Sequence, residues 1–318
     1  MGIFGKGIPR WVRGFVSELK TGFYKYDLQE YDLVIADMYH RFFKYTRFKN
    51  VEDLREKWKL VYNHVRDNLG FITTVDTMST LIDRLIEHVM YTDPDSEKVV
   101  KSVLAVLSIV SQDREIAFQN IPRNIAEFIK GRVSVATTGY DSLLEEVLGS
   151  LTEKIVTVNA LRGEPLNGGI KLSDRLSIKV PSANVLVYPD QAALEAVRSS
   201  DLVIISLMGA TADNELVAEM TSNMIVEAAA EAGVPVYATL RSQNVAWNTK
   251  LEDIESKVIL VRMPGVREEL AIPVFEMVSD HANIELFTEY GNISGENVGY
   301  LRDKYWEDLL KRVKSLIP

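Results

Sequence analysis

Asp201-Leu202-Val203-Ile204-Ile205-Ser206-Leu207-Met208-Gly209-Ala210-Thr211-Ala212-Asp213-Asn214 is an apolar run that breaks into a loop of small and polar residues. A run this short and this apolar predicts a strand buried on both faces. The loop leaving such a strand is where an open α/β sheet holds its ligand. Met208 stands at the mouth of the strand. A thioether moves no protons and binds metals weakly, so a position suited to chemistry carries a group without acid or base function.

Outward from that strand, further short apolar blocks lie at Val133–Ala136, Ile155–Val158, Val185–Val187, Val234–Tyr237 and Val258–Val261. Helix-length segments separate several of them, most clearly Asp190–Ser199 and Asn214–Ala232. Strand-helix-strand alternation predicts a parallel sheet with right-handed crossovers, a Rossmann-like domain over residues 131–318. Asn167-Gly168-Gly169 reads as a turn within the long 162–183 connection. No GxGxxG follows the first strand and no GxxxxGK[ST] occurs, so no dinucleotide or P-loop site is specified and no cofactor is expected.

Before Gly131 the period is helical. Val51, Leu54, Trp58, Val61, Val65 and Leu69 are spaced by three or four, as are Val75, Met78, Leu81, Leu85 and Val89, and then Val99, Val103, Leu107 and Val110. Asp93-Pro94-Asp95 marks a turn between the last two sets. Residues 1–130 therefore read as a helical bundle domain. The fold class is α/β, an N-terminal all-helical domain followed by the Rossmann-like domain. His40, His64 and His88 fall on different helices without metal-ligand spacing, so they read as packed or surface side chains and no metal is expected. Lys6, Arg10, Arg13 and Lys20 alternate with Phe4, Trp11, Phe15 and Phe23. That pattern suits a basic amphipathic surface helix or, as the preferred alternative, a helix docked on its own domain.

The 318 residues carry a net charge of -9, which argues against a general nucleic-acid-coating role. There is no cysteine, which removes disulfides, thiolate metal sites and cysteine nucleophiles together and suits a cytoplasmic location. No stretch approaches the roughly 20 apolar residues that cross a bilayer. Met1-Gly2 is followed by Lys6 where a myristoylation motif wants Ser or Thr, so no membrane partner is expected.

Several segments, in common order, resemble the translation initiation factor 2B alpha/beta/delta family, which also contains ribose-1,5-bisphosphate and methylthioribose-1-phosphate isomerases. Thr137-Thr138-Gly139-Tyr140-Asp141, leading into Ser142–Leu148, corresponds to that family's Thr-His-Gly-Tyr-Ser segment. Ala160-Leu161-Arg162-Gly163 keeps only the arginine of Glu-Ser-Arg-Pro. Asp201-Leu202-Val203 matches Asp-Leu-Val, and Pro273-Val274-Phe275-Glu276 resembles Pro-x-Phe-Asp, leading to Phe287-Thr288-Glu289-Tyr290-Gly291. The resemblance implies a helical domain before a Rossmann-like one across the whole chain. It also places Gly139 and Met208 where the isomerase branch carries its cysteine and aspartate, and Ala218-Glu219 where that branch carries a substrate-binding Asn-Lys pair. Glycine and methionine serve as neither acid nor base, and a glutamate repels phosphate.

What remains is an anion pocket at the strand ends. Thr137, Thr138, Gly139 and Tyr140 end a strand and open a helix whose N-terminal N–H groups favour anions. Arg162 would converge from the next strand, and Asn214 lies in the loop that leaves the Leu202–Leu207 strand. The bland alternative is that Gly139 only makes a turn and Arg162 pairs with Glu164 or Asp141. The preferred reading is a non-catalytic regulatory protein like the initiation factor 2B alpha subunit, sensing a nucleotide or sugar phosphate and contacting a translation factor. The alternatives are a sugar-phosphate isomerase using Asp213, Asp141 and Tyr140, and a paralogue that keeps only the fold and acts as an assembly partner. Leu270–Val278 offers Ile272, Val274, Phe275 and Met277 as a homodimer interface, the resembled family pairing through this domain, or else as ordinary core.

Overall fold

Five helices form the first lobe: α1 (Arg10–Gly22), α2 (Tyr31–Tyr45), α3 (Val51–Leu69), α4 (Thr73–Thr92) and α5 (Ser96–Phe128). In this computed structural model the described residues are 7–22, 27–92, 95–261, 268–279 and 283–316. Met1, Gly2, Phe4, Lys6, Phe23, Asp93 and Pro94, singled out above, lie outside them. Asn50 starts α3 by accepting from the Asp53 N–H, and Asp95 starts α5 by accepting from the Glu97 N–H. Fully buried Trp58 sits at the lobe's centre, its ring 5.1 Å from Tyr39 and 5.4 Å from Phe43, and its Nε1–H donates to Asp83 at 3.0 Å. Each large apolar side chain fully buried here contributes roughly 1.5–3 kcal/mol.

α1 docks on its own lobe through Val12, Val16 and Leu19, which are buried, while Trp11 stays 44% exposed. Its inner face is thus aliphatic; of the two aromatic residues of the sequence reading that are described, Trp11 and Phe15, Phe15 packs partly against the core. Among the described residues no helix is long and apolar enough to cross a membrane.

The second half alternates: β1 (Val133–Thr137), α6 (Ser142–Ser150), β2 (Ile155–Leu161), α7 (Gly168–Lys179), β3 (Asn184–Tyr188), α8 (Ala193–Arg198) and β4 (Leu202–Ser206). It continues through β5 (Gly209–Ala210), β6 (Leu216–Glu219), α9 (Ser222–Ala232), β7 (Val236–Thr239), α10 (Leu251–Glu255), β8 (Val258–Val261), β9 (Leu270–Pro273) and β10 (Phe275–Met277). β11 (Ile284–Thr288), β12 (Gly291–Ser294) and α11 (Val298–Leu316) complete it. The main sheet has seven strands in the order β12-β11-β7-β4-β1-β2-β3, parallel except for the antiparallel edge β12.

Helices cover both faces, which is why the strands are apolar throughout. In β4, Leu202 and Ile204 pack with α5, α6 and α7, while Val203 and Ile205 pack with α8 and α9. The change of period near residue 130 coincides with the end of α5, yet the core runs across it. The late residues of α5, Ala117, Ile121 and Ile125, pack on the sheet, and Tyr305, Leu309 and Val313 of α11 return to the helical lobe.

Three local expectations are corrected. Asn214–Ala232 is not one helix: Leu216–Glu219 pairs with β5 and β10, and Thr221 at φ 80 breaks the chain before α9. The 162–183 connection contains a helix, α7, opened by Asn167 in the left-handed conformation. Val258–Val261 is a strand, but it forms a hairpin with β9, and the main sheet instead takes Ile284–Thr288.

Candidate functional site

The carboxyl ends of β1 and β4 lie beside each other, at the point where chain order reverses in the sheet. Past β1, Gly139 at φ 75 makes the turn that returns the chain into α6. Thr137 donates to the Ile204 carbonyl at 2.7 Å, and the Thr138 and Thr221 hydroxyls share a hydrogen bond at 2.6 Å, so both side chains are spent on the scaffold. Tyr140 donates to Glu145 at 3.0 Å beneath the Lys171 ammonium, 4.0 Å from the ring centroid; burial and then Glu145 push the phenol up to about 12.

The N-terminus of α6, where an anion was expected, is filled by the protein's own carboxylates. Asp141 accepts the Leu144 N–H at 2.7 Å, and Asp27, reaching over from the helical lobe, accepts the Ser142 N–H at 2.8 Å. The other Asp141 oxygen accepts from Gln29 at 3.2 Å, and Ser206 also hydrogen-bonds the group. Burial, then the Asp27 charge, push Asp141 up to about 6. Glu219, at the end of β6, accepts the Tyr140 N–H; burial, then Asp141, push it up to about 8, so its carboxyl keeps a proton at neutral pH.

Glu219 also explains Gly139. A Cβ at 139 would stand 2.9 Å from Glu219 Oε2, so the carboxyl occupies the space that any side chain at 139 would need. The cavity left among Gln29, Thr138, Gly139, Tyr140, Asp141, Ser206, Met208 and Glu219 measures about 20 Å³. That is room for about one water, against roughly 300 Å³ or more for a ligand pocket. Among the described residues no lysine or arginine lines it.

The helical lobe closes the site from above. Gln29 donates toward the Leu207 carbonyl, and Thr73 and Asn244 donate to the Met208 carbonyl at 3.1 and 2.9 Å. The Met208 side chain joins the helical lobe's core. Beyond β7, fully buried Arg241 pairs with Asp32 of α2 and donates to the Gln29 carbonyl at 3.3 Å, with Arg114 of α5 3.5 Å from the same aspartate. Asp76 of α4 accepts the N–H groups of Trp247 and Asn248 at 2.7 and 2.8 Å. A larger polar cavity, about 230 Å³, lies away from the strand ends, between the α3–α4 turn and α10.

The remaining sequence candidates lie elsewhere. Arg162 is about half exposed, pairs with Glu164 at 3.1 Å and donates to Asn167 at 2.8 Å, outside the cavity lining. Asn214, at φ 69, turns the chain between β5 and β6 with its amide against Gly299 of α11. Val274 and Phe275 are buried in the subunit's own core, Ile272 is half-buried opposite Ile259, and Met277 is 37% exposed. Asp27, Gln29, Asp32 and Arg241 escaped the sequence reading. Their only local signal is polarity, and their partners lie far along the chain.

The profile of the Initiation factor 2 subunit family matches residues 31–294. Among solved structures, the Pyrococcus horikoshii OT3 translation initiation factor eIF-2B superposes with a TM-score of 0.71 at 14% identity, covering 90% of this chain and 98% of that one. The tetrameric eIF2B-beta2-delta2 complex from C. thermophilum gives 0.72 at 13% identity, with 92% and 93% covered. The 5-methylthioribose 1-phosphate isomerase of Pyrococcus horikoshii OT3 gives 0.64 at 14% identity, with 91% and 87% covered. At such identities the likeness is one of fold. No curated protein sequence matches the chain.

Proposed function

The chain belongs to the Initiation factor 2 subunit family, and from that premise we propose that it is a non-catalytic member, acting by binding and assembly as a regulatory subunit does. The observation that carries this reading is Glu219, whose carboxyl fills the space beside Gly139 and leaves about 20 Å³ at the strand ends. A sugar phosphate brought there would meet Asp141 and Glu219 and a helix N-terminus already capped by Asp27 and Asp141. Aldose-ketose isomerisation moves a proton between adjacent carbons and needs a group that exchanges protons with bound substrate. Gly139 and Met208 provide none, and Asp141, raised to about 6, and Glu219, raised to about 8, face a space the size of water.

The isomerase reading with Asp141, Tyr140 and Asp213 draws support from that raised Asp141. It loses Asp213, an exposed residue outside the cavity lining. Contact with a translation factor, residence in the cytoplasm and self-association belong to the regulatory reading. Its test is an assay of the pure protein on ribose 1,5-bisphosphate and methylthioribose 1-phosphate. No turnover above the protein-free blank is expected, and turnover abolished by Asp141→Asn would overturn the reading. A thermal-shift series with the same phosphosugars and with nucleotides completes it, since a bound ligand stabilises by RT ln(1 + [L]/Kd).

A further inference from the structure

The polar cavity of about 230 Å³ between the α3–α4 turn and α10 takes no part in the strand-end site, and both lobes build its floor. α3 ends at Leu69 and α4 begins at Thr73, so Gly70 and Phe71 lie in the turn between them. Thr249 donates to the Gly70 carbonyl. Buried Asp76 spends both oxygens on the facing segment: one accepts the N–H groups of Trp247 and Asn248, the other the Asn248 side-chain amide at 3.1 Å. Lys257, just past α10, sets its ammonium 4.7 Å from the centroid of the buried Phe71 ring. These contacts fix the walls before any ligand arrives.

The charges around the cavity are not spent in this way. Arg66 hydrogen-bonds Tyr62, yet among the described residues neither it nor Lys257 has a carboxylate within salt-bridge distance. Asp67 has no cation within that distance either, and Asp253 uses one oxygen on the Lys250 N–H at 3.0 Å and keeps the other. Earlier on the same helix as Arg66, by contrast, Lys57 and Asp53 close to 2.8 Å. Two cations and two carboxylates therefore line one cavity without closing on each other, and each keeps hydrogen-bonding capacity for a guest.

We propose that this cavity binds a small free α-amino acid, its carboxylate held by Arg66 and Lys257 and its ammonium by Asp67 and Asp253. Size and sign select this class. The volume equals about eight waters at roughly 30 Å³ each, room for a molecule of about that many heavy atoms and below the roughly 300 Å³ at which pockets for larger ligands begin. With Asp76 the lining holds three carboxylates against two cations, so a phosphate monoester of about −2 charge meets more repulsion than attraction. A zwitterion satisfies both sets: its carboxylate accepts from a guanidinium and an ammonium, and its own ammonium donates to the two carboxylates. Such a molecule touches both lobes, so its binding ties the α3–α4 turn to the segment 247–257. This goes beyond the regulatory reading above and does not depend on it.

The test follows melting of the full chain with each common amino acid at about 10 mM, since a bound molecule stabilises by RT ln(1 + [L]/Kd). At least one should raise the midpoint, whereas inorganic phosphate, acetate and methylamine, each carrying one sign only, should not. Lys257→Met, which keeps an apolar stem over Phe71, and Asp67→Asn should each raise the dissociation constant roughly tenfold or more. Arg198→Met, outside the cavity lining, should leave it unchanged. Circular dichroism establishes that each variant is folded, and amide exchange on the parent provides a reading free of any variant: residues 66–71 and 247–257 should slow when the amino acid is added. No shift with any amino acid, an equal shift with phosphate or acetate, an affinity untouched by both Lys257→Met and Asp67→Asn, or slowing confined to other segments overturns the proposal. The isomerase assay is independent: turnover of a phosphosugar would break the non-catalytic reading and leave the amino-acid site standing.

Discussion

Two margins of one sheet meet their surroundings in opposite ways. At the carboxyl ends of β1 and β4 the helical lobe supplies Asp27, Gln29 and Thr73, and the backbone groups there are satisfied within the chain. At β3 the flanking strand is uncharged and exposed. The first margin, where an open α/β sheet ordinarily holds its ligand, is packed against the helical lobe in a joint that leaves about 20 Å³. The second stays exposed at Leu186 and Val187. The difference teaches that one sheet can bury the strand ends of one margin against a second lobe and leave the strand at another margin exposed.

The sharpest way to break the first half of that comparison is through pH. Glu219 holds its proton up to about 8 in the folded chain, against 4.5 for the ordinary group. Between those values the unfolded chain releases a proton that the folded chain retains, so stability is greatest at the acid end of the window and falls as pH rises through it. At about 1.4 kcal/mol per unit, the difference of 8 − 4.5 sets a ceiling of about 5 kcal/mol. Glu219→Gln keeps an acceptor for the Tyr140 N–H and removes the proton. Its urea midpoint should exceed the parent's at pH 8 and approach it at pH 5. Equal midpoints for both proteins at pH 8 would mean that the carboxyl is solvated and the site open.

The joint itself is tested next. Asp32→Ala leaves Arg241, fully buried, without its carboxylate. Removing one partner of a buried pair costs roughly 3–5 kcal/mol. The denaturation midpoint should fall accordingly, and exchange should rise for the backbone from 241 to 249, which the helical lobe holds through Asp76 and Thr77. A loss under 1 kcal/mol would mean that the lobes are not locked.

How far these features can be read from sequence differs in the same way. β1, β2 and β4 and the helices before residue 130 are legible because local periodicity sets them. So are the departures at Gly139 and Met208, whose side chains carry no acid or base; the charge repulsion expected of Glu219 is not, because burial keeps its carboxyl protonated at neutral pH. β6 is not legible, because Leu216-Val217-Ala218-Glu219 runs without a break signal toward the alanine-rich α9, and only pairing with β5 and β10 makes it a strand. Gln29 and Asp27 are not legible for a different reason: their partners Asp141 and Ser142 lie 112 and 115 residues away. Arg162 looked like a converging cation because strand ends gather ligands, but Glu164 and Asn167, in the same loop, take it first.

A smaller effect sharpens the link between Gly139 and Glu219. Gly139→Ala forces a Cβ into a left-handed turn and against Glu219 Oε2 at 2.9 Å, and a strained backbone of this kind costs about 1–3 kcal/mol. In a Glu219→Ala background only the backbone strain remains, so the same substitution should cost less by about 0.5 kcal/mol or more, the range of coupling found between touching residues. Strict additivity in the double-mutant cycle would separate the two residues and leave Gly139 as an ordinary turn glycine.

The smallest expected change is at Arg162. Its pair with Glu164 is about half exposed on both sides, and such pairs are worth about 0.2–1 kcal/mol. Arg162→Ala should therefore lower the midpoint by less than 1 kcal/mol and lose even that in high salt, since exposed charges are screened. The same variant probes the strand ends. If a phosphosugar or nucleotide stabilises the parent and Arg162→Ala abolishes that shift while the free protein loses no more than this small amount, then Arg162 leaves Glu164 for an anion. In that case the strand-end margin opens on binding and is not the sealed joint described here. If the shift survives, any anion is held elsewhere, and the 230 Å³ cavity beside Arg66 and Lys257 is the next place to probe.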